Sequence, residues 1–117
     1  MGNVVHFELT SGDLARKSAF LEGAFGWSAT SSPFIDDYLL LDTGSGEGID
    51  GAVMSSAYRA QSVIIWTIVP DIEKTLVDVV AAGGAQAGET ATIPGRGQLC
   101  YVTDPEGVLF GIRQPEG

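Results

Sequence analysis

Hydrophobic and polar residues alternate along several short segments of the chain, which is the pattern of strands with two different faces. The first such segment, VVHFEL at positions 4–9, has most of its apolar side chains on one face and His6 and Glu8 together on the other. Further strands are predicted at 38–43, 49–54, 63–69, 86–92, 98–103 and 108–113, and a short one near 27–30.

Two helices are predicted where apolar residues recur at spacings of three and four. The first follows N-cap chemistry at Ser11–Asp13 and ends at Gly26, and the second follows Pro70–Asp71 and ends at Gly83–Gly84. The core-facing positions are predicted to be Leu14, Ser18, Leu21 and Phe25 in the first helix, and Ile72, Leu76, Val79 and Val80 in the second.

The two halves of the chain repeat one order of elements. Leu14 and Ile72, near the starts of the two helices, are 58 residues apart, and Gly51 and Gly111, each inside the last strand of its half, are 60 apart. A strand–helix–strand–strand–strand module used twice explains both offsets. The predicted fold is therefore α+β: two paired βαβββ modules forming a curved eight-stranded mixed sheet, with the helices outside and a concave cavity inside.

Length and composition indicate one globular domain. The 117 residues fit a single domain, with module one at about 1–57 and module two at about 58–117. Six Lys and Arg against fifteen Asp and Glu give a net charge of −9, which argues against nucleic acid and anionic membranes as partners. The longest strongly apolar run is too short to span a bilayer, and no signal peptide is expected, so a cytoplasmic location is predicted.

Cys100 is the one cysteine of the sequence, so neither an internal disulfide nor a cysteine metal cluster is possible. Within its strand, Cys100 is expected to behave as a small buried hydrophobe. A nucleophilic role would need a base beside Cys100, and the sequence identifies no candidate for that base.

Three short motifs are fairly specific in combination: AFGW after the first helix, IPGRG before the seventh strand and DPEG before the eighth. With VVHFEL, IDGAVM and DIEKTLVDVVAAGGA they are spread along nearly the whole chain. In this combination the chain resembles the glyoxalase/bleomycin-resistance/dioxygenase group, the vicinal oxygen chelate superfamily. The last strand, VLFGIRQP, is similar to that of small proteins related to lactoylglutathione lyase. The resemblance implies the same paired modules as the repeat.

Metal-dependent members of that family bind a divalent ion through four strand positions that face the cavity. Carried over by the resemblance, these positions fall on His6, near Gly51, near Ile64 and on Gly111. His6 alone keeps a donor side chain, and Asp50 beside Gly51 is expected to point the other way. Because the other three positions depart from the family pattern, the prediction is a cavity with no resident metal and no cofactor.

Five residues are predicted to surround the cavity and contact a ligand, and the alternation of the first and last strands predicts that Phe7, Leu9, Phe110 and Ile112 pack under the helices. The predicted contact residues are His6, Glu8, Trp66, Gly111 and Arg113.

Four of the five predicted contact residues also have a structural interpretation. His6 is either a general base or hydrogen-bonding group, or a structural residue. Trp66 either stacks on a flat ligand or is a core aromatic. Gly111 either opens cavity volume or allows close packing. Arg113 is either an anion contact or a structural residue, which would pair with Glu8 or lie at an exposed strand end.

Arg96, in the IPGRG loop, is interpreted as a solvated charge or a lid contact.

Three functions remain open at this point. The first is a binding or sequestering protein with a small organic ligand. The second is a lyase or isomerase of the lactoylglutathione-lyase type that uses His6 and Glu8, with or without a divalent metal. The third is an assembly protein whose cavity is filled. Whether the chain is an enzyme is left undecided, because this superfamily hosts many chemistries. A homodimer is predicted from the resemblance and from the exposed sheet edges.

Overall fold

The computed structural model describes residues 2–117 and confirms the α+β class and the mixed sheet. It divides into two compact units, one of residues 6–64 and the other of residues 65–117 together with 2–5. The strands are β1 (Val4–Ser11), β2 (Ser28–Ser31), β3 (Tyr38–Asp42), β4 (Gly51–Ser55), β5 (Val63–Ile68), β6 (Ala85–Gln86), β7 (Ala91–Ile93), β8 (Gly97–Thr103) and β9 (Leu109–Gln114), and the helices are α1 (Leu14–Phe25) and α2 (Ile72–Ala81).

The first unit pairs its strands in the order β2-β3-β4-β1, with β1 parallel to β4 and the other pairs antiparallel. Helix α1 begins where the Asp13 carboxylate accepts a hydrogen bond from the Arg16 amide at 3.0 Å, and it ends at Gly26, whose positive φ of 72° suits glycine. Its core lies on the helix side of the sheet, where Leu21, Leu41 and Val53 are buried and Phe7 and Leu9 pack against them.

The second unit pairs its strands in the order β5-β9-β8-β6, and β7 also pairs with β8. Helix α2 begins at Asp71, whose carboxylate accepts from the Lys74 amide at 3.1 Å. Asp13 and Asp71 are 58 residues apart, so the repeat extends to the N-caps of both helices. The core of this unit is made of Val69, Ile72, Leu76, Cys100, Val102 and Ile112, with Val79 and Phe110 packed against it.

Two sequence predictions about this architecture are wrong in detail. The strand predicted at 86–92 consists of two short strands, β6 and β7, separated by a segment in which Gly88 has a positive φ of 132°. The helix stripes are also narrower than predicted, because Phe25 is 59% exposed and Val80 is 62% exposed. Phe25 instead contacts two other aromatic rings, those of Phe20 and Trp27.

Within residues 2–117, neither helix is long and apolar enough to cross a membrane.

Candidate functional site

The register of β1 against β4 decides which side chains of the first unit face away from α1. Phe7 pairs with Gly51 and Glu8 pairs with Ala52, and Phe7 lies in the core under α1. Because side chains alternate along a strand, His6 and Glu8 lie on the opposite face. The predicted packing of Phe7 and Leu9 under the helix is therefore confirmed, and so is the shared face of His6 and Glu8.

His6 and Glu8 are joined through a third residue, Tyr38 at the start of β3. The Tyr38 hydroxyl donates to Glu8 Oε2 at 2.7 Å, and His6 Nε2 lies 3.3 Å from the same hydroxyl oxygen. With the phenol proton directed at Glu8, the phenol oxygen can accept from His6 Nε2–H. We call His6, Tyr38 and Glu8 the polar network of the first unit.

Local structure allows the Tyr38 side chain on β3 to reach across β4 to Glu8 on β1. Strand β4 lies between β3 and β1, and its residue level with Glu8 is Ala52, whose side chain is a single methyl group. Leu39 and Leu41 pack on the helix side, so alternation turns Tyr38 to the face of Glu8. Tyr38 is not among the residues predicted from the sequence. The available signal was this alternation within Tyr38–Asp42.

The chemistry of the network follows from its burial. Glu8 is only 2% exposed, and an ionised carboxylate removed from water is costly unless it is hydrogen-bonded. The bond from Tyr38 is charge-assisted when Glu8 is ionised, and such bonds are stronger than neutral ones. His6 is half-buried and is the group of the three that ordinarily titrates near neutral pH. The network therefore brings an imidazole, a hydroxyl and a carboxylate within hydrogen-bonding reach of one another.

The resemblance places a metal-ligand position near Gly51, on the face of His6 and Glu8. Gly51 faces the helix side instead, so this placement is wrong. A Cβ atom on Gly51 would overlap the ring of Phe7, which lies on the helix side. Ala52 is the residue of β4 that shares the face of Glu8, and it has no donor atom either. Asp50 is held in the β3–β4 connection, where its carboxylate accepts from the Thr43 amide at 2.9 Å.

In the second unit, Trp66 and Gly111 are directly paired between β5 and β9. A Cβ atom on Gly111 would overlap the indole atoms Cδ2, Cε2 and Cε3, so the ring lies directly on the glycine. Tyr101 pairs with Gly111 from β8, and its ring meets that of Trp66 edge-on with centroids 5.0 Å apart. Trp66 is 5% exposed, so the structure gives it the packing of a buried aromatic. A contact between Trp66 and a ligand stays a prediction.

Arg113 follows Gly111 by two residues on the same face of β9, while Phe110 and Ile112 pack under α2 as predicted. The Arg113 guanidinium does not use a carboxylate as its hydrogen-bond acceptor but donates through Nη1 to the main-chain oxygen of Arg96 at 2.9 Å. Burial, and then the charge of Arg96, lower the pKa of Arg113.

The residues present do not fit the divalent metal that the resemblance implies. Of the four carried-over positions, Gly51 lies under Phe7, Gly111 lies under Trp66, and Ile64 is an apolar side chain with 0% exposure. Across residues 2–117, no three His, Cys, Asp or Glu side chains are grouped so that they could hold a metal ion. Isolated donors give weak sites, because each missing ligand removes charge and preorganised geometry.

A surface groove of about 520 Å³ lies at the start of α1. It is lined by Ser11–Asp13, Arg16, Lys17 and Phe20 and by none of the five predicted contact residues. The groove is therefore separate from the polar network.

Comparison with known proteins gives likeness in structure alone, since no family model and no curated protein matches the sequence. Methylmalonyl-CoA epimerase from Mycobacterium tuberculosis aligns with a TM-score of 0.73 and 16% identity, over 99% of this chain and 89% of that one. A glyoxalase/bleomycin resistance protein/dioxygenase superfamily member from Vibrio splendidus 12B01 aligns with a TM-score of 0.69 and 21% identity, over 97% and 99% of the two chains.

A third solved structure is a methylmalonyl-CoA epimerase variant from Streptomyces coelicolor in complex with 2-nitronate-propionyl-CoA. It has a TM-score of 0.72 and 14% identity, over 100% of this chain and 96% of that one. Identities this low establish a common fold and leave function to be argued from the side chains.

Proposed function

We propose that this chain binds a small organic molecule through the polar network of His6, Tyr38 and Glu8, without a resident metal. The chain has the fold of the vicinal oxygen chelate superfamily, as the sequence resemblance predicted. The observation that carries the proposal is the Glu8 carboxylate, 2% exposed and held by the Tyr38 hydroxyl at 2.7 Å. A cytoplasmic location is part of this proposal.

Stability alone is a poor reason to keep such a carboxylate. Buried ionised groups cost free energy even when they are paired, and apolar residues of similar volume often serve stability as well or better. A few convergent polar groups are instead typical of small-molecule sites. Glu8, Tyr38 and His6 combine an acceptor, a hydroxyl and an imidazole, so the fitting ligand presents a hydroxyl, amine or carbonyl group to them.

A thermal-shift screen of small polar organic compounds tests the proposal, since a ligand that binds the native state raises the melting temperature by mass action. The expected result is a compound whose shift is lost in His6→Ala and reduced in Tyr38→Phe. Tyr58→Phe is the matched control, because it removes a hydroxyl that bonds the Asp36 carbonyl outside the network. A shift that survives in both network variants would refute binding at this position.

A second function, proton transfer by a lyase or isomerase, is favoured by the shared hydroxyl of Tyr38, which links the imidazole to the carboxylate. Such a network can take a proton from an acidic C–H bond and return it, since general bases act within hydrogen-bond reach. The structural neighbours include methylmalonyl-CoA epimerases, one of them in complex with methylmalonyl-CoA and ammonium.

Deuterium incorporation separates the two functions. The protein is incubated in D₂O with methylmalonyl-CoA, and exchange at the carbon between the thioester and the carboxylate is followed by NMR. Exchange that His6→Ala abolishes and Tyr58→Phe retains would support the enzyme. A compound that raises the melting temperature and shows no exchange at any acidic C–H would leave the binding function in place.

A further inference from the structure

Two of the six cationic residues of this chain, Arg96 and Arg113, are neighbours in the second unit, where the Arg113 side chain contacts the Arg96 backbone. Arg113 Nη1 donates to the main-chain oxygen of Arg96, so its guanidinium is held against the β7–β8 turn. Burial lowers the pKa of Arg113, and the charge of the neighbouring Arg96 lowers it further.

The backbone of the turn fixes the position of Arg96. Its two neighbours, Gly95 and Gly97, have positive φ angles of 80° and 105°, which favour glycine. A Cβ atom on Gly97 would overlap the main-chain oxygen of Gln114, so the turn lies directly on the end of β9. The Arg96 amide donates to the Ile93 oxygen at 3.0 Å. The Arg96 backbone is thus held beside the Arg113 side chain by a preformed turn.

Fifteen carboxylates are present in the sequence, yet among residues 2–117 neither arginine forms an ion pair with one. The nearby Glu116 carboxylate accepts from the Gly95 amide at 3.2 Å. Neighbouring cations attract an anion, and guanidinium groups match carboxylates in two-bond geometry.

We propose that Arg96 and Arg113 form a binding site for the carboxylate of a small organic acid, with its apolar part against Leu99 and Tyr101. Leu99 pairs with Arg113 across β8 and β9 and lies on the same face, and Tyr101 follows two residues along that face. Both side chains are half-buried. This site lies in the second unit and does not rest on the function proposed for the polar network.

A ¹⁹F NMR titration with 6-fluoro-2-naphthoate and the matching neutral alcohol, 6-fluoro-2-naphthalenemethanol, tests the site. The carboxylate is expected to bind at least about tenfold tighter than the alcohol, as one charge-assisted hydrogen bond predicts. Arg113→Gln and Arg96→Gln are each expected to remove most of that preference. Arg113→Lys should keep part of it, because it retains the charge without the planar fork.

Lys74→Gln is the matched control, since it removes one cation from the same unit, on α2, where Lys74 is paired with Asp78. It should leave both affinities unchanged. Raising the salt concentration should weaken the carboxylate and not the alcohol, which checks the charge interaction in the unaltered protein.

Equal binding of acid and alcohol, binding of neither, or a carboxylate preference that survives in both arginine-to-glutamine variants would each overturn the site. Displacement of the probe by inorganic phosphate at lower concentration than by acetate would overturn its assignment to carboxylates. None of these results alters the thermal-shift test of His6→Ala and Tyr38→Phe, so failure of this site and failure of the proposed function are distinguishable.

Discussion

Gly111→Ala is expected to destabilise the protein although it adds only one methyl group. The new Cβ would overlap three atoms of the Trp66 indole, and that ring is 5% exposed, so it has little room to move. Overpacking of this kind costs about 1–3 kcal/mol, and the smaller conformational entropy of alanine in the unfolded chain offsets about 0.4–1 kcal/mol of it. The net loss is about 1–2 kcal/mol, which lowers the urea midpoint by about 1 M for a typical slope.

Urea unfolding followed by circular dichroism measures this loss, and a second glycine supplies the control. Gly23 lies within α1 with nothing near its missing Cβ, so Gly23→Ala should stabilise by about 0.5–1 kcal/mol. In a Trp66→Ala background, Gly111→Ala should become neutral or stabilising, because the overlapping ring is gone. Equal costs of Gly111→Ala with and without Trp66 would refute the packing argument.

Four further predictions follow from the same structure. Tyr38→Phe should cost about 1–3 kcal/mol of unfolding free energy, because Glu8 loses a donor while buried, whereas Tyr58→Phe should cost less; urea titration compares them. Asp71→Ala should cost about 1 kcal/mol through loss of the α2 N-cap, measured by thermal unfolding, and an unchanged midpoint would contradict the capping role. Elemental analysis after dialysis without chelator should find no stoichiometric divalent metal, and one equivalent lost in His6→Ala would revive a metal-dependent lyase. Light scattering at micromolar concentration should give a mass of two chains, and a mass near 12.2 kDa would exclude the homodimer.

The sequence was sufficient for the class, the helices and the repeat because these depend on local periodicity and on capping residues. Asp13 and Asp71 each cap the start of a helix, because an aspartate side chain can accept a hydrogen bond from the first turn. Gly26 ends the first helix, because glycine readily adopts a positive φ. The strand at 86–92 could not be resolved into β6 and β7, because the break at Gly88 depends on how both short pieces pair with β8.

The candidate site was predicted in part. Alternation within β1 was enough to place His6 and Glu8 on one face, but Tyr38 joins them from a strand two positions away in the sheet. Contacts of this kind depend on register, which sequence spacing alone does not fix. The same limit explains the error at Gly51, which was matched with Gly111 by sequence offset alone. In the sheet, Ala52 pairs with Glu8 of β1 as Gly111 pairs with Trp66 of β5, so Ala52 is the counterpart of Gly111.

The indole of Trp66 resting on Gly111 makes the identities of these two positions interdependent. A carboxylate at 111 would occupy the volume that the Trp66 indole fills, so the two side chains exclude each other in the packing of this chain. Converting this chain to a metal-binding form at position 111 therefore takes at least two substitutions, and either one made alone passes through a less stable protein. Sequences similar to this one should accordingly change at positions 66 and 111 together, which makes the pair a simple marker for sorting them.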